Sequence, residues 1–170
     1  RNIKSMTEGN ILAFLFISLA LGLALRSVRM GVISLLPNVM PALTAFGIWT
    51  LLVGQVNMAV ATVAAVSLGI IVDDTVHFLS KYTRARREKG YTPEDAIRYA
   101  FSTVGTALTV TTVVLVAGFS VLAFSGFQIN QSMGQLTAIA IFVALVIDFL
   151  LLPPLLLLFD KDKESSNESR

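Results

Sequence analysis

SMGQLTAIAIFVALVIDFLLLPPLLLLF, residues 132–159, carries one charged side chain, Asp148. At about 1.5 Å per residue, roughly 20 apolar helical residues cross a hydrocarbon core of about 30 Å. A helix satisfies its own backbone groups, so a single segment can cross lipid in this form. Four further runs have the same character, at about 5–25, 32–53, 56–79 and 102–124. The expectation is an all-α polytopic membrane helix bundle of about five transmembrane helices over residues 1–160. The composition agrees with it: 55% of the 170 residues are hydrophobic and 14% charged, and the mean hydropathy is +0.76, outside the range of ordinary soluble domains.

The charges assign an orientation. The connection 80–101 holds Lys81, Arg84, Arg86, Arg87, Lys89 and Arg98, Arg26 and Arg29 flank the first turn, and Lys161, Lys163 and Arg170 lie in the polar tail 161–170. Five crossings place all of these on one side, with Arg1 and Lys4 opposite. By the positive-inside rule the basic side is cytoplasmic, the N-terminus outside and the C-terminus inside. Thr92-Pro93-Glu94-Asp95 reads as a helix start: a capping hydroxyl, proline at the first helical position and two acids on the positive helix end. It predicts a short cytoplasmic amphipathic helix from Pro93, separated by Gly90 from the helix before it. The tail 161–170 reads as disordered. The opening at Arg1, without an initiator Met or a cleavable signal pattern, suggests a piece of something longer. The chain has no cysteine and one histidine, which leaves no disulfide framework and no Cys or His metal cluster. No metal and no cofactor is expected.

The chemistry concentrates in Gly69-Ile70-Ile71-Val72-Asp73-Asp74-Thr75-Val76-His77. With Lys81 at the water boundary, the two acids lie roughly 10 to 12 Å inside it. Inserting a central Asp costs on the order of 2.5 to 3.5 kcal/mol, so this helix belongs in a bundle interior. Successive helical residues turn by about 100°, which puts Thr62, Gly69, Asp73 and His77 in one arc and Asp74 beside Ser67. Loss of water and an adjacent like charge both favour the neutral carboxyl, the chemistry of a proton carrier; fixed hydrogen bonds that specify packing are the other reading. His77 is either a relay member or a satisfied polar residue near the interface. Ser102, Gly105, Thr106, Thr109 and Thr112 share one arc of the fourth segment and either line the pathway or pack the bundle. Asp148, ahead of Pro153-Pro154, is either a second titrating site or the partner of a group freed where the prolines kink or end the helix. Pro37 and Pro41 suggest a bend in the second segment.

Gly69 to His77, the basic loop with its Thr-Pro-Glu-Asp start, the Thr-rich fourth segment and Asp148-Phe149-Leu150-Leu151-Leu152-Pro153 together resemble the resistance-nodulation-division (RND) superfamily, in its branch of MMPL and Patched-like exporters. The resemblance covers about 9–159. It implies proton-motive-force-driven export of lipidic or amphiphilic substrates at the inner (plasma) membrane. It also implies a partner bundle elsewhere in the same transporter, an oligomer, and essential carboxylates that map onto Asp73 and Asp74. In that family each half has six helices with a large extracytoplasmic domain after the first, and this chain looks like the last five helices of one half. Drug-efflux relatives carry lysine in the central helix of their second half, where this chain has acids. Other classes with related features are a sterol-sensing-like binding module and a protein-export accessory subunit. An intramembrane aspartyl protease fits poorly, since Val72 stands where its Gly-x-Gly-Asp motif has glycine; no enzyme is expected.

Overall fold

The computed structural model describes residues 28–53 and 58–168 and, ahead of them, Gly9, Leu12, Phe16, Leu19 and Gly22, all five helical. The first predicted crossing, 5–25, otherwise lies outside the described residues. The elements are α1 (Val28–Val53), α2 (Met58–Glu88), α3 (Pro93–Ala100), a π-helical turn (Phe101–Gly105), α4 (Thr106–Ala123) and α5 (Gln128–Glu168). Among the described residues there is no strand. Three helical stretches there are long and apolar enough to cross a membrane: Ser34–Leu51, Pro93–Ala123 and Gln128–Asp160.

The expected connection 80–101 is mostly helix. Residues 80–88 extend α2, because Tyr82 and Ala85 bury on the inner side and Arg84 pairs with Glu88 one turn on, at 2.6 Å. Gly90 then turns the chain at φ 63°, and the Lys89 and Tyr91 N–H groups both donate to the Ala85 carbonyl, 3.3 Å each. Helix α3 starts where its cap predicts: the Thr92 hydroxyl accepts from Asp95 N–H at 3.2 Å, Pro93 follows, and Pro93, Ala96, Ile97 and Ala100 bury. Through the π turn α3 runs on into α4 without a break, so the predicted surface helix and fourth crossing are one helical stretch.

Helix α5 corrects two expectations. Of the two effects expected of Pro153 and Pro154, a kink or an end, the end is ruled out: both lie inside the helix, where flanking Leu152 and Leu156 are locked into the core and neighbouring helices hold the segment. It also continues to Glu168, through most of the tail expected to be disordered; 161–168 holds neither Gly nor Pro and includes Lys and Glu, which favour helix.

α5 is the shared wall of the bundle, packing on α1, α2, α3 and α4. Its start lies against the end of α4: a Cβ on Gly134 would sit 2.6 Å from both Ala123 N and Phe119 O, so only glycine permits this approach. One apolar cluster joins Ala45 and Trp49 of α1 to Val63, Leu136 and Ala140. A larger one, at the basic end, joins Val72, Phe78, Leu79 and Tyr82 to Ile97, Val104, Leu108, Leu152 and Leu156. Phe101 stacks edge-on against Phe78 and Phe149, with ring centroids 4.9 and 5.2 Å away. On α5, Asp148 falls between the two clusters, and on α2 Asp74 and Thr75 lie at the near edge of the larger one, between Val72 and Phe78.

Candidate proton-relay site

Adjacent residues on a helix cannot share a face, and the structure separates the Asp pair accordingly. Asp74 is buried at 7% exposure, on the same side of α2 as buried Ser67. Asp73 points the other way, its carboxylate 3.5 Å from His77 Nε2, with side chains 71% and 59% exposed. Within this chain the bundle covers Asp74 and leaves Asp73 open. Gly69, Asp73, His77, Arg84 and Glu88 form an uncovered stripe down the outer face of α2.

On the inner side Thr75 is the hub. Its hydroxyl lies 2.8 Å from Asn38 Oδ1 of α1 and 3.3 Å from each carboxylate oxygen of Asp148 on α5. The Ile71 carbonyl is 3.4 Å away. Asn38, Thr75 and Asp148 are all essentially removed from solvent. A threonine has one hydroxyl proton and here several acceptors, so the donation can move between Asn38 and Asp148. Asn38 Nδ2 is buried without a partner. Exchange of the two amide ends, alike in shape, would direct that N–H at Thr75 Oγ1 and leave the hydroxyl proton to Asp148. The protons then run one way along the line Asn38, Thr75, Asp148, and the buried amide atom left without a partner is an oxygen. Asp148 thus meets a side chain of α2 and not a group released by the proline pair, and Asp74 lies within its electrostatic reach.

Thr106 and Thr109 are not brought to the carboxylates. Thr106 is exposed, and the Thr109 hydroxyl donates to the Gly105 carbonyl of its own helix at 2.9 Å. The inward positions of this stretch are Val104, Gly105, Leu108 and Thr112; apolar Val104 and Leu108 join the core, while Ser102, Thr106 and Thr109 of the stripe are exposed. Thr112 alone of the stripe's hydroxyls is buried, and it has no partner. Asn38 and Thr75 were absent from the expected relay, although an amide inside an apolar run and a hydroxyl next to two acids were both visible in the sequence. Among the described residues no three His, Cys, Asp or Glu gather to hold a metal.

The basic end is tied separately. Asp160 of α5 accepts from the Tyr82 hydroxyl at 2.5 Å and from Arg86 Nε at 2.8 Å, while Arg86 NH1 donates to the Tyr91 carbonyl at 2.6 Å. Burial first, and Asp160 second, raise the Tyr82 phenol above its ordinary range. Helices α2 and α5 are thus bridged at two levels, by Thr75 with Asp148 and by Tyr82 and Arg86 with Asp160.

Comparison with known proteins places this arrangement. The chain is 29% identical over 131 residues to MJ1562 of Methanocaldococcus jannaschii, named as a membrane protein; the match covers 77% of this chain and 34% of the relative, so the chain spans about a third of that protein's length. The MMPL family's sequence pattern matches residues 3–169. A membrane helix bundle with a buried carboxylate layer, matched from nearly one end to the other by that pattern, belongs to the MMPL family of the RND superfamily.

Proposed function

We propose that this chain is the transmembrane portion of a proton-motive-force-driven RND-type exporter of lipidic or hydrophobic substrates in the inner membrane. It crosses five times, with the N-terminus outside and the C-terminus cytoplasmic; residues 5–25 and α2 supply the crossings beyond the three apolar stretches described above. Asp73 and Asp74 carry protons on two faces of α2. Asp74 works toward the polar layer, where Asp148 is a second titrating group linked through Thr75. Asp73, paired with His77, works toward a partner bundle supplied by the rest of the transporter.

The observation that carries this reading is the outward Asp73 and His77 pair. A carboxylate facing lipid at that depth costs on the order of 2.5 to 3.5 kcal/mol, and intramembrane acids face bundle interiors or water-filled cavities. The stripe therefore needs a cover, and a relative about three times as long has the chain to supply one. Gly69 on this stripe meets nothing within 4 Å, which leaves room for close helix approach.

The test uses the intact transporter and measures substrate export per correctly inserted molecule at several external pH values. Asn keeps the size of Asp and most of its hydrogen bonding while removing titration. Asp73→Asn and Asp74→Asn should each insert normally and lose export, while His77→Ala should lose less. Wild-type export in the Asp73→Asn, Asp74→Asn double variant would end the proposal. Lost assembly with normal activity in the surviving protein would mark the pair as structural.

A further inference from the structure

At the basic end of α2 the Lys89 ammonium sits in an aromatic corner. Its Nζ lies 4.0 Å from the centroid of the Tyr99 ring and 5.5 Å from that of Tyr91. The two rings meet edge to face, with centroids 5.9 Å apart. Such rings hold a cation in place without neutralising it. Lys81, two turns back along α2 and half-buried, also acts on the Tyr99 hydroxyl. The Lys89 ammonium and the Tyr99 ring thus meet beside the π turn, and the Lys81 charge acts on them from farther back along α2. There the Tyr99 carbonyl is taken by the Ser102 and Thr103 hydroxyls, at 3.0 and 2.7 Å, which fixes the backbone under the ring. The neighbouring Arg84 is spent on Glu88 and Arg86 on Asp160; among the described residues no ion pair joins Lys81 or Lys89 to a carboxylate.

We infer that Lys81, Lys89 and Tyr99 form a binding site for the phosphate headgroup of an anionic phospholipid of the adjoining leaflet. Ammonium and phenol donors suit a phosphodiester, and juxtamembrane lysines attract anionic lipid. The lipid, and not a soluble phosphate, is the occupant because the same helical stretch runs from Tyr99 into the exposed apolar Val110, Val113 and Val114, at 56%, 61% and 63% exposure, a surface suited to acyl chains. The inference rests on the reading that this end of α2 lies at the membrane surface, but not on proton transport.

The intact protein in neutral detergent is titrated with phosphatidylglycerol or phosphatidylcholine, and bound lipid is counted by native mass spectrometry without a proton gradient. The expected result is a saturable site that prefers phosphatidylglycerol. Lys81→Gln with Lys89→Gln should weaken that lipid by roughly 10- to 30-fold, the order two juxtamembrane cations contribute, and leave phosphatidylcholine binding unchanged. Lys81→Arg with Lys89→Arg should retain the preference, and Arg84→Gln should keep wild-type affinity. Should the double Gln variant fail to fold, Tyr99→Phe, which keeps the ring under Lys89 and removes the donor, should still lower the affinity several-fold. Unchanged phosphatidylglycerol affinity in the folded variants, or equal losses for both lipids, would overturn the site. Displacement by soluble glycerol phosphate at matching concentrations would replace the lipid with a free phosphate ligand and overturn the inference as stated. Wild-type export in the Asp73→Asn, Asp74→Asn double variant, with the lipid preference intact, would count against the transport reading alone.

Discussion

Thr75→Val removes the hydroxyl at the centre of the polar layer and keeps the shape of the side chain. Thr75 has no solvent exposure, Asn38 has 1% and Asp148 3%, so water has little access to the groups left behind. The lost contacts are the 2.8 Å bond to Asn38 Oδ1 and the two 3.3 Å approaches to Asp148. A buried polar group stripped of its partner costs about 1 to 3 kcal/mol. Side-chain bonds between membrane helices average about 0.6 and reach about 1.7 kcal/mol, because the unfolded chain in lipid also finds partners. With two groups affected, the expected loss is about 2 kcal/mol. The assay is reversible denaturation of the intact protein in mixed micelles, followed by helical circular dichroism. Thr75→Ser, which keeps the donor, should recover most of the loss. In a double-mutant cycle, Thr75→Val and Asp148→Asn should couple by about 1 kcal/mol, since they share one bond. A Val variant within about 0.5 kcal/mol of wild type, the range of ordinary surface changes, would refute the hub, as would strict additivity in the cycle.

Gly134→Ala places a Cβ 2.6 Å from the backbone of α4, and backbone cannot yield as a side-chain tip does; the same titration should show a loss of about 1 to 3 kcal/mol, whereas Gly118→Ala, with nothing within 4 Å, should show none. The raised Tyr82 phenol gives a pH dependence with a definite sign: below the ordinary value of 10.0 it is protonated folded or unfolded and its stabilisation is complete, and above that value the unfolded chain ionises first, so stability falls as pH rises. Tyr82→Phe should lower stability by about 1 kcal/mol near neutral pH and flatten that alkaline decline; an unchanged decline would refute the buried phenol as its source.

How much of this was legible in the sequence follows from the range over which each signal acts. Apolar runs report helices because lipid leaves a backbone no other partner, and the cap at Thr92 and the turn at Gly90 are local devices, so α1, α3, α4 and the core of α5 were within reach. Helical periodicity likewise separated Asp73 and His77 from Asp74 and Ser67 before any packing was known. The extension of α2 to Glu88 was not readable, because charged residues at 81–88 suggest a loop until Tyr82 and Ala85 find a core and Asp160 answers Tyr82 and Arg86 from a helix more than 70 positions away. The path of α5 through Pro153-Pro154 depends in the same way on neighbours that hold a segment its own sequence would weaken. The sequence by itself determined which residues share a helix face, since 3.6 residues per turn is a property of the backbone. Only the tertiary structure decided which face turns inward: it drew Asn38, Thr75 and Asp148 from three helices into one layer, left Asp73 and His77 outside, and gave the fourth segment's inward side to Val104, Gly105, Leu108 and Thr112, because those choices depend on how whole helices pack and on no local rule.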